Sequence, residues 1–125
     1  MKTRLISTLA VSLLAVVSTF AQADMAVKGA GGMLVNTSGM TVYTFDKDVA
    51  GSGKSMCNGP CATLWPAVTA AADAKPADEM TILTRDDGAK QWAYKGKPVY
   101  LYSADAKSGD KMGDNFKDVW HVVKP

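Results

Sequence analysis

The residues best equipped for chemistry are two cysteines, Cys57 and Cys61, separated by Asn58, Gly59 and Pro60. One use for them is redox exchange, because a thiol near the start of a helix has its pKa lowered by the helix dipole. The usual redox spacing has two intervening residues, and here there are three. A small structural disulfide closed over the Gly-Pro turn is therefore the preferred reading. Closing so short a loop contributes about 2 kcal/mol on chain-entropy grounds. Thiol and thioether ligands also suit Cu(I). That makes Met56, Cys57, Cys61 and the single histidine, His121, a weak alternative set for copper or iron. The methionines are scattered singly, however, and read better as adaptable core filler. No metal or other cofactor is expected.

Other chemistries lack their parts. Asp46, Asp48 and Gly51 look like the opening of a calcium loop. Counted from Asp46, though, the fifth and twelfth positions are Ala50 and Cys57, where that loop needs oxygen donors. Gly51-Ser52-Gly53-Lys54-Ser55 has the look of a phosphate-cradling loop, but Asp48 stands where its first glycine is required. No Gly-x-Ser-x-Gly elbow exists, and no second histidine sits beside a nucleophile. Glu79 is the only glutamate, so a paired-carboxylate hydrolase is poorly supplied. No catalytic residue is assigned, and the reading leans away from an enzyme.

These residues lie on a repeated framework. Tyr43, Phe45 and Asp48 recur 57 residues on as Tyr100, Tyr102 and Asp105, within the pattern Tyr-x-aromatic-x-x-Asp. At the same offset Val35 falls on Trp92, Gly39 on Gly96 and Val42 on Val99, and Trp65 and Trp120 close the two copies. Met33 to Asn36, the turn Thr37-Ser38-Gly39 and Met40 to Phe45 read as a β-hairpin. Met80 to Arg85, Lys90 to Tyr94 and Val99 to Tyr102 read as strands, with Asp86-Asp87-Gly88 and Lys95-Gly96-Lys97 as turns. Pro60 suits the first turn of a helix, and Pro66 ends it. Ala104 to Lys117 reads as a long loop, and Trp120 to Val123 as a last strand. Asp48 and Asp105 fall where a strand gives way to a loop. There a carboxylate accepts backbone N–H groups or holds a tyrosine hydroxyl.

The expected fold class is therefore all-β: a single small domain of two pseudo-symmetric, hairpin-based units. Two copies are too few for an open solenoid, so the units must pack on each other. Unit one covers about residues 31–69 and unit two about 80–124, with at most one short helical turn, after Pro60. Period-2 spacing puts most aromatics in the core. Trp65, Trp92 and Trp120 are kept as candidates to face a ligand.

The N-terminus reads as an export signal. Lys2 and Arg4 precede an apolar run from Leu5 to Phe20, and Ala21-Gln22-Ala23 is a small-x-small cleavage site. Cleavage near Ala23 leaves residues 24–125 as one domain in the periplasm or outside the cell. The mature form has no stretch suited to a stable membrane span. Removing Lys2 and Arg4 also cancels the net charge of +2. The balanced remainder gives no electrostatic case for nucleic acid. Two cysteines in an oxidising compartment again favour the disulfide.

The chain resembles a bacterial family of secreted repeat proteins and predicted lipoproteins. The duplicated Tyr-x-aromatic-x-x-Asp carries the likeness, together with the segments Cys57 to Pro66 and Asp87 to Tyr100. The resemblance implies a fold and an exported location but no activity. It also implies a lipid anchor in many relatives, whereas this chain lacks the cysteine that would bear the lipid. The leading expectation is thus a non-catalytic binding or interaction module whose partner is an unknown ligand or envelope protein. The alternative is a cell-envelope redox or metal-handling protein using the Cys57/Cys61 region.

Overall fold

The computed structural model describes residues 27–125; the expected signal and its cleavage site at residues 1–23 lie outside the described residues. Among the described residues seven strands form: β1 (Val27–Ala30), β2 (Met33–Asn36), β3 (Tyr43–Phe45), β4 (Met80–Thr84), β5 (Lys90–Tyr94), β6 (Lys97–Tyr100) and β7 (Trp120–Val122). All pairings are antiparallel. β1 and β2 make a two-stranded sheet, and the other five lie in the order β4-β5-β6-β3-β7. One α-helical turn, α1 (Pro60–Leu64), has Pro60 in its first turn. A 3₁₀ turn over Phe116–Asp118 takes the corresponding place in unit two, within the stretch read as loop.

β1 begins at Val27 and so lies ahead of residue 31, the expected start of unit one. It pairs with β2 over its whole length, from Val27 opposite Asn36 to Ala30 opposite Met33. The hairpin expected between residues 33–36 and 40–45 forms only in part, with a single bridge between Val35 and Thr41. The C-terminal segment accounts for this: the Val123 carbonyl accepts the Leu34 N–H at 2.8 Å, and the Val123 N–H donates to the Val42 carbonyl at 3.3 Å, taking the groups that would continue the ladder. At the turn itself the Asn36 Oδ1 accepts the N–H groups of Ser38 and Met40, both at 2.9 Å. In unit two the matching hairpin closes tightly, with Tyr94 opposite Lys97. Lys95 and Gly96 between them take φ of 51° and 84°, as a two-residue hairpin turn demands.

The two units exchange their closing segments. β7, from unit two, pairs with β3 of unit one, placing Trp120 opposite Phe45 and Val122 opposite Tyr43. Residues 66–69 of unit one lie in turn along β6 and β5 of unit two. The Val68 N–H donates to the Val99 carbonyl at 3.0 Å, and the Leu101 N–H to the Pro66 carbonyl at 2.7 Å. β3 and β6 run antiparallel at the centre, with Tyr43 directly opposite Tyr100. A pseudo-two-fold axis passes between these two tyrosines.

Strand pleating sends alternate residues of the central strands into two cores. Val42 and Val99 join Val27, Leu34, Val68, Met80, Trp92 and Val123 on one side. Tyr43, Phe45 and Tyr100 join Cys57, Trp65 and Trp120 on the other. At the axis Trp65 and Trp120 stack at 3.8 Å, nearly parallel, and each carries the motif aromatic of the opposite unit on its outer face. Tyr102 stacks on Trp65 at 4.1 Å and Phe45 on Trp120 at 4.2 Å, so four rings form one column. Tyr43 and Tyr100 meet Trp65 and Trp120 edge-on at 5.3 and 5.2 Å. Offset stacks and edge contacts of this kind add to the stabilisation from burial alone.

Candidate functional site

The repeated motif builds a pair of buried hydrogen bonds that cross between the units. The Tyr43 hydroxyl donates to Asp105 Oδ2 at 2.7 Å, and the Tyr100 hydroxyl to Asp48 Oδ2 at 2.6 Å. Each carboxylate uses its other oxygen to pin the loop that follows its own strand. Asp48 Oδ1 accepts the Met56 N–H at 2.6 Å, and Asp105 Oδ1 accepts the Met112 N–H at 2.9 Å. Asp48 and Asp105 are only 4% and 8% exposed. The loop from Asp105 to Met112 spans one residue fewer than that from Asp48 to Met56. This is one of the shortenings by which the repeat offset slips from 57 residues at the tyrosines to 55 at the tryptophans.

The electrostatics keep these tyrosines neutral. Burial first, then the hydrogen bond to Asp105, pushes the Tyr43 hydroxyl far above its ordinary pKa. Burial and the bond to Asp48 do the same for Tyr100. Burial also raises the Asp48 carboxyl, against the opposing bonds from Tyr100 and the Met56 N–H. The hydroxyls are thus proton donors in a fixed geometry, not phenolate ligands or nucleophiles.

Behind the Tyr100–Asp48 pair lies a polar network with no twin among the described residues. The Arg85 guanidinium, 6% exposed, donates through Nη1 to Gln91 Oε1 at 2.6 Å and to Ser55 Oγ at 3.0 Å. Through Nη2 it reaches the Cys57 carbonyl and Asn58 Oδ1. Ser55 Oγ lies 2.5 Å from the Tyr100 hydroxyl, and Gln91 Nε2 donates to the Val99 carbonyl at 2.9 Å. Neither Arg85 nor Gln91 stood out in the sequence, where they read as the end of one strand and part of the next. One signal was there: Gln91 occupies the repeat position that is Leu34 in unit one. A polar residue facing an apolar counterpart marks a buried network.

Cys57 and Cys61 form a disulfide beside this network. Cys57 is fully buried in the aromatic cluster. Its counterpart in unit two is Gly113. A Cβ at Gly113 would come within 2.5 Å of the Trp65 ring, so close backbone approach excludes any side chain there. The Gly113 N–H donates instead to the Tyr43 hydroxyl at 3.2 Å.

The remaining candidates are spread apart. His121 is bonded at Nε2 to Asp46 Oδ2, at 2.8 Å, and at Nδ1 to Asn115 Oδ1, at 3.1 Å. Neither partner belongs to the cysteine segment. Met56 is exposed. Among the described residues no three His, Cys, Asp or Glu side chains converge as a metal cluster. Asp110 and Asp114 accept backbone N–H groups of their own loop and of β7. Trp65 and Trp120 lie inside the ring column, away from solvent. Trp92 is buried too, yet it lines a groove of about 350 Å³ together with Asn36, Thr37, Val68, Thr69 and Leu101. Of the three tryptophans kept as ligand-facing candidates, Trp92 is the one that borders open space there. No helix among the described residues is long and apolar enough to cross a membrane.

No curated protein and no solved structure matches the chain significantly. A family model described as a secreted repeat of unknown function matches it twice, over residues 25–69 and 81–124. The two matches coincide with the two halves that exchange their closing segments, and the chain belongs to that family of secreted repeats.

Proposed function

We propose that the protein is a non-catalytic binding module of the cell envelope, exported by a signal cleaved near Ala23. The observation that carries this reading is the groove beside Trp92. It is concave, and both sides are fixed: Val68 is laddered to β5 and β6, and Asn36 is locked in its own turn. The motif side chains support the same reading from the other direction, because their polar atoms are spent on one another. Tyr43, Tyr100, Asp48 and Asp105 hold the fold, which leaves the groove as the place where a ligand or an envelope protein is met. A pocket with mostly apolar walls and a few polar groups at its rim is the usual form of a binding site.

The test is a titration with the apolar probe anilinonaphthalene sulfonate, followed by energy transfer from tryptophan, in the mature wild type and in Ala71→Trp. Ala71 lines the groove and is exposed, so the larger side chain fills the space without entering the core. Saturable binding that Ala71→Trp abolishes is the expected result. Absence of binding to the wild type, or binding indifferent to Ala71→Trp, overturns the reading.

A further inference from the structure

We propose that Met56 and Met112 form a symmetric pair of surface thioethers that take up oxygen from hydrogen peroxide, a two-electron oxidant. Their side chains are open to solvent, at 61% and 68% exposed. The other described methionines are not: Met80 is buried, and Met33 and Met40 are half-buried. The two exposed residues also occupy equivalent places. Each follows the loop after a motif aspartate, and each donates its backbone N–H to that aspartate, at 2.6 Å for Met56 and 2.9 Å for Met112. The repeat thus fixes the backbone of both methionines at a buried carboxylate while turning both side chains outward.

That geometry separates reactivity from stability. The sulfur lone pair attacks the electrophilic oxygen of the oxidant. The O–O bond of a peroxide breaks, an S–O bond forms, and water leaves after proton transfer, so that sulfur loses two electrons and the oxidant gains them. The product sulfoxide is polar, which disrupts a core but not a solvated surface. Neither backbone anchor involves the sulfur, so the Tyr100–Asp48 and Tyr43–Asp105 pairs survive the change. A thiol-dependent methionine sulfoxide reductase can return the oxygen as water at the expense of a dithiol, which makes the uptake reversible.

The experiment treats the folded mature protein with hydrogen peroxide and follows oxygen addition peptide by peptide by mass spectrometry, with near-ultraviolet circular dichroism recorded in parallel. One oxygen is expected at Met56 and one at Met112 before any appears at Met33, Met40 or Met80. The tertiary signal and melting temperature are expected to stay those of the untreated protein. The double variant Met56→Leu/Met112→Leu should lose both additions, and a thiol-dependent reductase should remove them from the wild type. Earlier oxidation at Met33, Met40 or Met80 overturns the proposal. So does loss of the tertiary signal in step with oxidation of Met56 and Met112, because the sulfoxides would then belong to an opened chain.

Discussion

Tyr43 reaches Asp105 across the pseudo-two-fold axis as Tyr100 reaches Asp48, but the groups behind the two pairs differ. Behind Tyr100 stand Ser55, Arg85, Gln91 and the disulfide-closed turn at Cys57 and Cys61. Behind Tyr43 stands the backbone N–H of Gly113, pressed against the Trp65 ring. The shared part comprises the crossed hydrogen bonds, the exchanged closing segments and the four-ring column. It holds the two units together. The part that differs serves one loop. In unit two, dispensing with a side chain at Gly113 lets the backbone approach the ring. In unit one the loop is a residue longer between Asp48 and Met56. It is held there by a covalent bridge and a buried cation. Duplication supplied the frame, and the copies then found different ways to fix the same corner.

The largest effect should come from the shared part. Trp65→Ala and Trp120→Ala each remove a central ring of the column and should each cost about 4 kcal/mol of unfolding free energy, by urea denaturation. Near equality is the point of the measurement. If one substitution costs less than half of the other, the column is not a symmetric element and the comparison breaks.

A smaller effect sharpens the asymmetry. Arg85→Leu removes a buried guanidinium, leaves Gln91 Oε1 without its donor and takes one hydrogen bond each from Ser55 and the Cys57 carbonyl, at a cost of about 3 kcal/mol. Lys28 stands 57 residues earlier in the sequence, on β1, and is exposed. Lys28→Leu should change stability by less than about 0.5 kcal/mol. Similar costs at the two positions would mean that the network contributes nothing particular to the Tyr100 side.

The smallest effect is the pH dependence of one pair. The folded Asp48 carboxyl is raised above its ordinary value, so the folded protein takes up this proton before the unfolded chain does. Stability from this group is fully present below the ordinary carboxylate pKa and is lost as pH rises through the raised folded value. The stability of wild type relative to Asp48→Asn should therefore increase as pH falls through that window, in paired denaturation curves. A difference that shrinks with falling pH would show that the hydrogen bonds to the ionised form outweigh burial.

Much of the frame was legible from residue order. The alternation Tyr43-Thr44-Phe45, the turn Lys95-Gly96, Pro60 at the head of a helical turn and the closing Trp65 and Trp120 are local patterns. A two-residue period or a proline ring dictates their consequences within a few residues. The hairpin at residues 33–45 was only partly legible, because Val123, nearly eighty residues further along the chain, takes the Leu34 N–H and the Val42 carbonyl that would have continued it. Arg85 and Gln91 were illegible as a pair. Their meeting depends on Ser55 and Cys57, which arrive from a loop some thirty residues away.

The sequence by itself determined that Tyr43, Phe45 and Asp48 would be made again as Tyr100, Tyr102 and Asp105, with each aspartate at the end of a strand. Which tyrosine each aspartate would hold was decided only by the tertiary structure. Both choices satisfy the same donors and acceptors, so the local pattern has no preference between them. Packing does: β3 and β6 lie antiparallel with Tyr43 opposite Tyr100, and each unit's closing segment is drawn onto the other's motif strand. With the segments exchanged, the aspartate within reach of each hydroxyl is the one belonging to the other copy.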